Sequence, residues 1–306
     1  MTAAVDMPDA LEALDGWLAE REAAFGDVRP EADARIVWAD EVPRRTETAI
    51  VYLHGYSATR METAPLSDHL ARRLGANLFY ARLAGHGRDG ADAMGEPTAA
   101  CWRADAEEAL AIGARLGERV ILVGCSTGAT LATLLAAAAP AELAAVVLLA
   151  PNYGPKDPRT MLLTWPGART WVPWLVGAER VVEAENPAHA RYWTLRYPST
   201  SLIPMMELVQ DVRRAPLEAV RAPVLAIWCD EDTVVDAARI EPTLARMSGA
   251  VVETERVAPQ PEGSNHVFVG DAFGPEQTTP VLERILAFLE GRGLVAGPAQ
   301  GASGAK

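Results

Sequence analysis

The 306-residue sequence is poor in basic residues: 28 Lys and Arg stand against 41 Asp and Glu, which gives a formal net charge of −13. Its basic runs are no longer than adjacent pairs such as Arg44–Arg45 and Arg213–Arg214. Proteins that bind nucleic acid or anionic membrane surfaces need clustered Lys and Arg on one face. The sequence therefore predicts no nucleic-acid partner and no polybasic membrane anchor.

Long apolar runs are also missing. The longest, Ala129–Ala150, is broken by Pro140 and Glu142, so neither half reaches the roughly 20 residues that a membrane helix needs. The amino-terminal stretch Met1–Leu14 contains acids and lacks the basic, apolar and small-residue succession of a signal peptide. We therefore expect a soluble protein with no membrane span.

Cysteine is scarce: the three residues Cys101, Cys125 and Cys229 are scattered, and none has a Cys-x-x-Cys spacing. An odd number of scattered cysteines is typical of free thiols in a reducing compartment rather than of a disulfide framework or a zinc site. We expect a cytoplasmic protein with no metal and no cofactor. Hydrophobic residues make up 49% of the chain, which is enough for a large buried core.

Short apolar runs alternate with helical segments, which is typical of a mostly parallel sheet with helices on both faces. Runs such as Ile50–Leu53 are apolar at nearly every position, as expected for strands buried on both faces. The predicted strands are Arg35–Trp38, Ala49–His54, Asn77–Arg82, Val120–Gly124, Ala145–Ala150, Val224–Trp228 and Val251–Val257. The predicted helices are Asp9–Ala24, Met61–Leu74, Ala100–Leu116, Ser126–Ala139, Asp236–Met247 and Glu276–Leu289.

This alternation is interrupted between Pro151 and Pro223, because the strand-like runs there are too far apart for a connection of about 2–6 residues plus one helix. The spacing indicates one core, residues 1–151 and 223–291, with an inserted lobe at residues 152–222. A Gly- and Ala-rich tail at residues 292–306 is expected to be disordered. Apolar side chains of the lobe form either its own core or a wall facing a substrate. The candidates for that wall are Trp165, Trp171, Trp174, Trp193 and Met205.

The strongest chemical signal is a Gly-x-Ser-x-Gly motif, Gly124–Gly128, between a buried strand and an Ala-rich helix. A serine on such a sharp turn has an exposed hydroxyl at a helix N-terminus, where unpaired N–H groups favour developing negative charge. The motif predicts that Ser126 is a nucleophile.

A serine nucleophile needs a base, and the base needs an orienting acid. Of the five histidines, His266 follows the last predicted strand and precedes the last helix, so we expect it at the same sheet edge as Ser126. The acid is expected in the loop after the strand Val224–Trp228, where Asp232 lies at the crest and Asp230 is the alternative.

The oxyanion of an acyl-transfer reaction needs backbone N–H donors from two places. One donor is expected from Thr127, which follows the nucleophile, and the other from Tyr56, in the loop after the strand Ala49–His54. His54 and His86 are interpreted as residues that hold turns rather than as proton carriers.

The order Ser126, Asp232, His266, together with His54-Gly55-Tyr56, resembles the α/β-hydrolase superfamily. The Gly85-His86-Gly87 turn and Ser264-Asn265-His266 are similar to its serine carboxylesterase and monoacylglycerol-lipase group. The resemblance implies an α/β-hydrolase fold, a Ser126-Asp232-His266 triad and a lobe that forms a helical cap over the site.

The chemistry predicted from these residues is hydrolysis of carboxylic esters through an acyl-enzyme. Small to medium apolar acyl or aryl esters are the expected small-molecule substrates, and the resemblance implies monoacylglycerols among them. Two alternatives stay open. The same triad also serves amidases, aminopeptidases and thioesterases, and the fold alone would also suit a non-catalytic ligand-binding protein.

Overall fold

A seven-stranded sheet runs through the protein, whose computed structural model describes residues 6–90 and 92–295. The strands are, in chain order, β1 (Arg35–Val37), β2 (Thr46–Leu53), β3 (Asn77–Tyr80), β4 (Gly117–Cys125), β5 (Leu143–Leu149), β6 (Glu179–Val181), β7 (Arg196–Pro198), β8 (Val224–Trp228) and β9 (Val252–Arg256). The sheet has the order β1-β3-β2-β4-β5-β8-β9, and every neighbouring pair is parallel except β1 and β3. The strands β6 and β7 form a separate antiparallel pair. The seven strands predicted from the sequence are confirmed.

Helices cover both faces of the sheet. They are α1 (Leu14–Ala23), α2 (Leu66–Leu74), α3 (Ala99–Leu116), α4 (Thr127–Ala137), α5 (Ala168–Val176), α6 (Pro187–Tyr192), α7 (Leu202–Arg214), α8 (Ile240–Leu244) and α9 (Pro275–Glu290). Side chains alternate along β2, so Val51 packs in the buried cluster that contains α3 and α4. Ile50 and Tyr52 pack on the other face, in the cluster that contains α2 and α9. This layering is the predicted fold class.

The helix α2 starts later than the sequence predicts. The segment predicted as one helix, Met61–Leu74, is a 3-10 turn at Arg60–Glu62 followed by α2, which begins only after Pro65. Proline disfavours helical backbone in the residue before it, here Ala64, and therefore interrupts the helix. As a result, Glu62 lies on a tight turn rather than within a helix.

The segment between β5 and β8, residues 152–222, is referred to below as the insert. It contains a 3-10 turn at Pro158–Thr164, the helices α5, α6 and α7, and the β6–β7 pair. Apolar side chains of α7, including Met206 and Val209, lie in the same buried cluster as α3 and α4. The helix α7 therefore anchors the insert to the layer that covers one face of the sheet.

The described residues end at Val295, just after α9. Leu294 is buried in the cluster that α9 forms with α2. The rest of the tail that is expected to be disordered, residues 296–306, lies outside the described residues. Within residues 6–90 and 92–295, no helix combines the length and apolar character needed to cross a membrane.

Candidate active site

Ser126 lies at the turn between β4, which ends at Cys125, and α4. Its φ of 52° and ψ of −114° are unusual for a residue with a side chain and cost about 1–3 kcal/mol. The neighbouring glycines permit this turn. A Cβ on Gly128 would lie 2.0 Å from the carbonyl oxygen of Leu53, and a Cβ on Gly124 would lie 2.5 Å from that of Gly128. The motif thus forms a sharp strand-to-helix turn that only glycines at these two positions allow.

His266 lies in the loop between β9 and α9, opposite Ser126. Its Nε2 is 2.8 Å from Oγ of Ser126, and its Nδ1 is 2.6 Å from Oδ2 of Asp232. Both distances are those of hydrogen bonds. Because the carboxylate only accepts, the proton of a neutral imidazole is assigned to Nδ1, which leaves the Nε2 lone pair for the Ser126 hydroxyl.

Asp232, in the loop after β8, is held in place by backbone amides. Its side chain is buried, with 1% of the residue exposed, and its Oδ1 accepts the N–H groups of Val234 at 2.7 Å and Val235 at 2.9 Å. These two bonds occupy Oδ1 and leave Oδ2 for His266.

The alternative acid, Asp230, has other partners. It accepts the indole N–H of Trp228 at 2.9 Å and forms an ion pair with Arg256 at 3.0 Å. The structure thus brings Asp232, rather than Asp230, into contact with His266.

Residues 54–57, referred to below as the β2 loop, lie against the turn that carries Ser126. A Cβ on Gly55 would be 3.1 Å from Cβ of Ser126, so a glycine is needed for this close approach. Tyr56, the next residue, is one of the two predicted oxyanion donors. Thr127, the other, is the first residue of α4 and therefore has a backbone N–H without a partner inside that helix.

Two buried histidines hold the β2 loop and the turn after β3. Nε2 of His54 accepts the N–H of Leu83 at 3.0 Å, and its Nδ1 donates to the carbonyl oxygen of Gly55 at 2.8 Å. Burial lowers the pKa of His54 to about 4, so the ring is neutral near pH 7. His86 contacts the carbonyl oxygen of Ala84 through Nδ1 at 3.1 Å. These contacts agree with a structural role for both histidines.

The insert contacts the β2 loop directly. The N–H of Thr194 donates to the carbonyl oxygen of Ser57 at 2.7 Å, and the Tyr56 hydroxyl lies 2.5 Å from Oγ of Ser201. Arg29, from the segment before β1, holds the same part of the insert. It donates to Oγ1 of Thr194 at 3.1 Å and to the carbonyl oxygens of two further insert residues. The geometry of the β2 loop therefore depends on the insert as well as on the core.

The family model described as the alpha/beta hydrolase family matches residues 50–275, which is most of the chain. The chain belongs to this family. No curated protein matches the chain.

Solved structures show the same fold as this alpha/beta hydrolase. One of the metagenome-derived lipolytic enzymes LipS and LipT is 22% identical with a TM-score of 0.67, covering 86% of this chain and 99% of its own. Monoglyceride lipase from Saccharomyces cerevisiae is 12% identical with a TM-score of 0.66, and the match covers 87% of this chain and 92% of the lipase. A thermostable carboxyl esterase from Bacillus coagulans is 17% identical with a TM-score of 0.60, and the match covers 86% of this chain and 94% of the esterase. At these identities the similarity is one of fold.

The five insert residues predicted to face a substrate lie in different surroundings in this hydrolase. Trp165 and Trp174 are exposed, the latter to 93% of its surface. Trp171 is half-buried, Trp193 is buried against two other aromatic rings, and Met205 is buried in the cluster of α3 and α4. The packing of Met205 favours the alternative reading, in which it belongs to the core.

Three polar residues that touch the β2 loop belong to no sequence motif: Glu62, Thr194 and Ser201. Glu62 has 1% of its surface exposed, and its Oε1 accepts the N–H of Gly55 at 2.5 Å. A lone glutamate at the start of a predicted helix reads as a surface residue. The only local signal against that reading is Pro65, which interrupts the helix and allows the turn that buries Glu62.

The cysteines are free thiols in the structure. Cys125 precedes Ser126 and is buried, and burial raises the pKa of its thiol well above the ordinary value. A buried thiol with a raised pKa is a poor nucleophile. Among the described residues, no group of three or more His, Cys, Asp or Glu side chains is arranged to hold a metal ion.

Proposed function

We propose that this alpha/beta hydrolase is a serine esterase that cleaves carboxylic esters with small to medium apolar acyl or aryl groups, monoacylglycerols among them. The observation that carries the proposal is the continuous chain of hydrogen bonds from Oγ of Ser126 through His266 to Asp232. A serine hydroxyl becomes nucleophilic when a base takes its proton and a third group orients the base. This arrangement supplies all three groups.

The first half-reaction forms an acyl-enzyme. Oγ of Ser126 attacks the ester carbonyl carbon while Nε2 of His266 takes the hydroxyl proton. The carbonyl oxygen becomes an oxyanion that accepts the backbone N–H groups of Tyr56 and Thr127. As the intermediate collapses, the bond to the alcohol oxygen breaks and His266 returns the proton to that oxygen.

The second half-reaction releases the acid. Water attacks the acyl carbon with His266 again as base, the oxyanion again forms between Tyr56 and Thr127, and Ser126 leaves as the reprotonated hydroxyl. Asp232 keeps the imidazole proton on Nδ1 and favours the imidazolium in both steps. Its two backbone donors fix the carboxylate so that only Oδ2 faces the ring.

The insert is proposed to act as a cap that defines the substrate. Its Thr194 and Ser201 contact the β2 loop, which contains the proposed oxyanion donor Tyr56. The similar folds belong to proteins named as lipolytic enzymes, a monoglyceride lipase and a carboxyl esterase, and these names favour an ester over an amide or thioester. The free thiols Cys101, Cys125 and Cys229 support the proposed cytoplasmic location.

The test is covalent labelling with a fluorophosphonate followed by peptide mapping. We expect a single labelled peptide that contains Ser126, and we expect Ser126→Ala to lose both labelling and ester turnover while keeping its circular dichroism spectrum. Ser67→Ala is the matched control, because Ser67 is also a buried serine but lies on α2. Folded wild-type protein that resists labelling would contradict the proposal.

A substrate panel then separates the reaction classes. p-Nitrophenyl esters from acetyl to dodecanoyl, a monoacylglycerol, an acyl thioester and an aminoacyl anilide are compared by kcat/KM. We expect an ester to be the best substrate. A higher kcat/KM for the anilide or thioester would move the assignment to an amidase or thioesterase, and tight binding of a small hydrophobe without any turnover would indicate a ligand-binding protein.

A further inference from the structure

A buried carboxyl group, Glu62, lies directly behind the β2 loop. Its Oε1 accepts two hydrogen bonds, from the Tyr52 hydroxyl at 2.7 Å and from the N–H of Gly55 at 2.5 Å. A Cβ on Gly55 would lie 2.9 Å from Oε2 of Glu62 and 3.1 Å from Cβ of Ser126. The backbone of Gly55 therefore lies between the side chains of Glu62 and Ser126.

The hydrogen bond to Gly55 acts on the peptide next to the oxyanion donor. The N–H of Gly55 precedes the peptide unit that carries the N–H of Tyr56, so fixing the first restricts the orientation of the second. Thr194 holds the far side of the same loop through the carbonyl oxygen of Ser57. The β2 loop is therefore held on one side by a carboxylate in the core and on the other by the insert.

The charged and titratable groups around Glu62 come from three elements. Tyr52 lies on β2, Cys125 is at the end of β4, and His266 is in the loop after β9. Burial raises the pKa of Glu62 to about 7, while the hydrogen bonds from Tyr52 and Gly55 and the charge of His266 act in the opposite direction. Asp232, like Glu62, places a negative charge near the thiol of Cys125. The ionised glutamate and a protonated His266 therefore favour each other.

We propose that Glu62 is a positioning residue of the hydrolytic reaction: its carboxylate aligns the Tyr56 amide through Gly55 and favours the imidazolium that His266 becomes when it takes the Ser126 proton. This role rests on the proposed function. A glutamine would offer the same acceptor oxygen without the cost of desolvating a charge. What the carboxylate adds is its negative charge, which strengthens the hydrogen bond from Gly55 and favours the imidazolium of His266. The charge matters most in the transition state, because only then is His266 protonated beside a deprotonated serine.

The experiment measures the second-order rate of Ser126 labelling by a fluorophosphonate as a function of pH. In that reaction the bond from Oγ to phosphorus forms, the bond from phosphorus to fluorine breaks, fluoride leaves, and the serine proton passes to His266 and then to solvent. The readout needs no knowledge of the natural ester. It uses the full-length wild-type protein, Glu62→Gln and Tyr52→Phe, with thermal unfolding to verify that each variant is folded.

For Glu62→Gln we expect a plateau rate about tenfold lower than wild type, since a charge-assisted hydrogen bond is replaced by a neutral one. We also expect a change in the acid limb of the pH profile, which is the part where the labelling rate falls as the pH decreases. In the wild type, uptake of a proton by Glu62 below about pH 7 should lower the rate by a similar factor of about ten, so the plot of log rate against pH is steeper there than one base alone would make it. In the variant this step is absent, so the slope falls towards one and the midpoint moves to lower pH.

Tyr52→Phe changes the same limb in the opposite direction. It keeps the carboxyl group but removes a hydrogen bond that favours its ionised form, so the acid limb should move to higher pH. Asp105→Asn is the matched control. Asp105 is a half-buried acid whose pKa burial raises to about 6, but its partner is the N–H of Ala84 rather than the β2 loop. Its acid limb should match that of the wild type.

The outcomes separate this role from the proposed function. A folded wild type that is not labelled at Ser126 overturns the proposed function and this role with it. Normal wild-type labelling together with a Glu62→Gln variant of unchanged plateau, slope and midpoint overturns the role of Glu62 alone. A lowered plateau with an unchanged acid limb would show that Glu62 only supports the structure, and this also overturns the proposal. If Glu62→Gln does not fold, the direction of the Tyr52→Phe shift decides.

Discussion

Glu62→Gln should make the protein more stable at alkaline pH. Burial raises the pKa of Glu62 from 4.5 to about 7, so the folded protein holds this proton more tightly than the unfolded chain does. The resulting stabilisation is complete below about pH 4.5 and is lost as the pH rises through about 7. At pH 8 the folded wild-type protein must therefore keep a buried carboxylate ionised.

The size of this effect follows from the difference in proton affinity. Each tenfold difference is worth about 1.4 kcal/mol, so a change from 4.5 to about 7 corresponds to about 3 kcal/mol of unfolding free energy. Glutamine has no charge to desolvate and keeps an acceptor oxygen for Tyr52 and Gly55. For a chain of this length, 3 kcal/mol corresponds to a rise of roughly 5 °C in Tm.

The assay is urea unfolding of wild type and Glu62→Gln at intervals between pH 4.5 and pH 8.5. Any fixed cost of the substitution is the same at every pH, so the pH dependence of the difference isolates the ionisation. We expect the difference in unfolding free energy to move by about 3 kcal/mol in favour of the variant across this range. A difference that stays constant, or that moves in favour of the wild type, would refute the reasoning.

Three further predictions concern the elements around Ser126. Asp232→Asn should lower kcat by about 10³- to 10⁴-fold with little change in Tm. The amide oxygen can still accept the two backbone N–H groups that Oδ1 accepts now, but the amide disfavours the His266 tautomer with the proton on Nδ1. Steady-state kinetics and a thermal melting curve test the two parts of this prediction. Gly128→Ala should destabilise the fold by about 3 kcal/mol or more in urea unfolding, because the added Cβ would clash with the carbonyl oxygen of Leu53. Gly16→Ala is the control: its added Cβ has nothing within 4 Å, so the change should be neutral or slightly stabilising. Equal effects of the two substitutions would argue against the clash. Arg29→Ala should cost about 1–3 kcal/mol of unfolding free energy and reduce activity, because it loosens the insert. Arg159→Ala removes an exposed ion pair within the insert and should leave Tm unchanged. Similar Tm values for the two variants would contradict the role given to Arg29.

Local signals predicted the sheet and the serine turn well. Strands such as β4 and β5 are continuous apolar runs, and the glycines around Ser126 mark a turn that few other residues could form. His266 and Ser126, 140 residues apart, could be expected at the same place once a parallel sheet was predicted, because parallel strands expose their carboxyl ends at one edge. The strands and the serine turn themselves depend on residues close to one another in the chain.

Features that depend on distant packing could not be predicted in the same way. Glu62 is buried against the β2 loop and against Cys125 at the distant end of β4. The contacts of Thr194 and Ser201 with the β2 loop join segments more than a hundred residues apart. The exposure of Trp174 shows the same limit, since composition does not determine which face of α5 points outward.

In the proposed esterase, the hydrogen bond from Thr194 to Ser57 would link substrate size to the speed of the chemical step. An acyl chain that fits beneath the insert would leave this bond intact and the proposed oxyanion donors aligned during turnover. A longer chain that displaces the insert would break the bond while still gaining apolar contacts of its own. For the proposed esterase, the penalty for excess length would then fall on kcat, while KM stays low, so long esters would behave as slow substrates that compete with short ones.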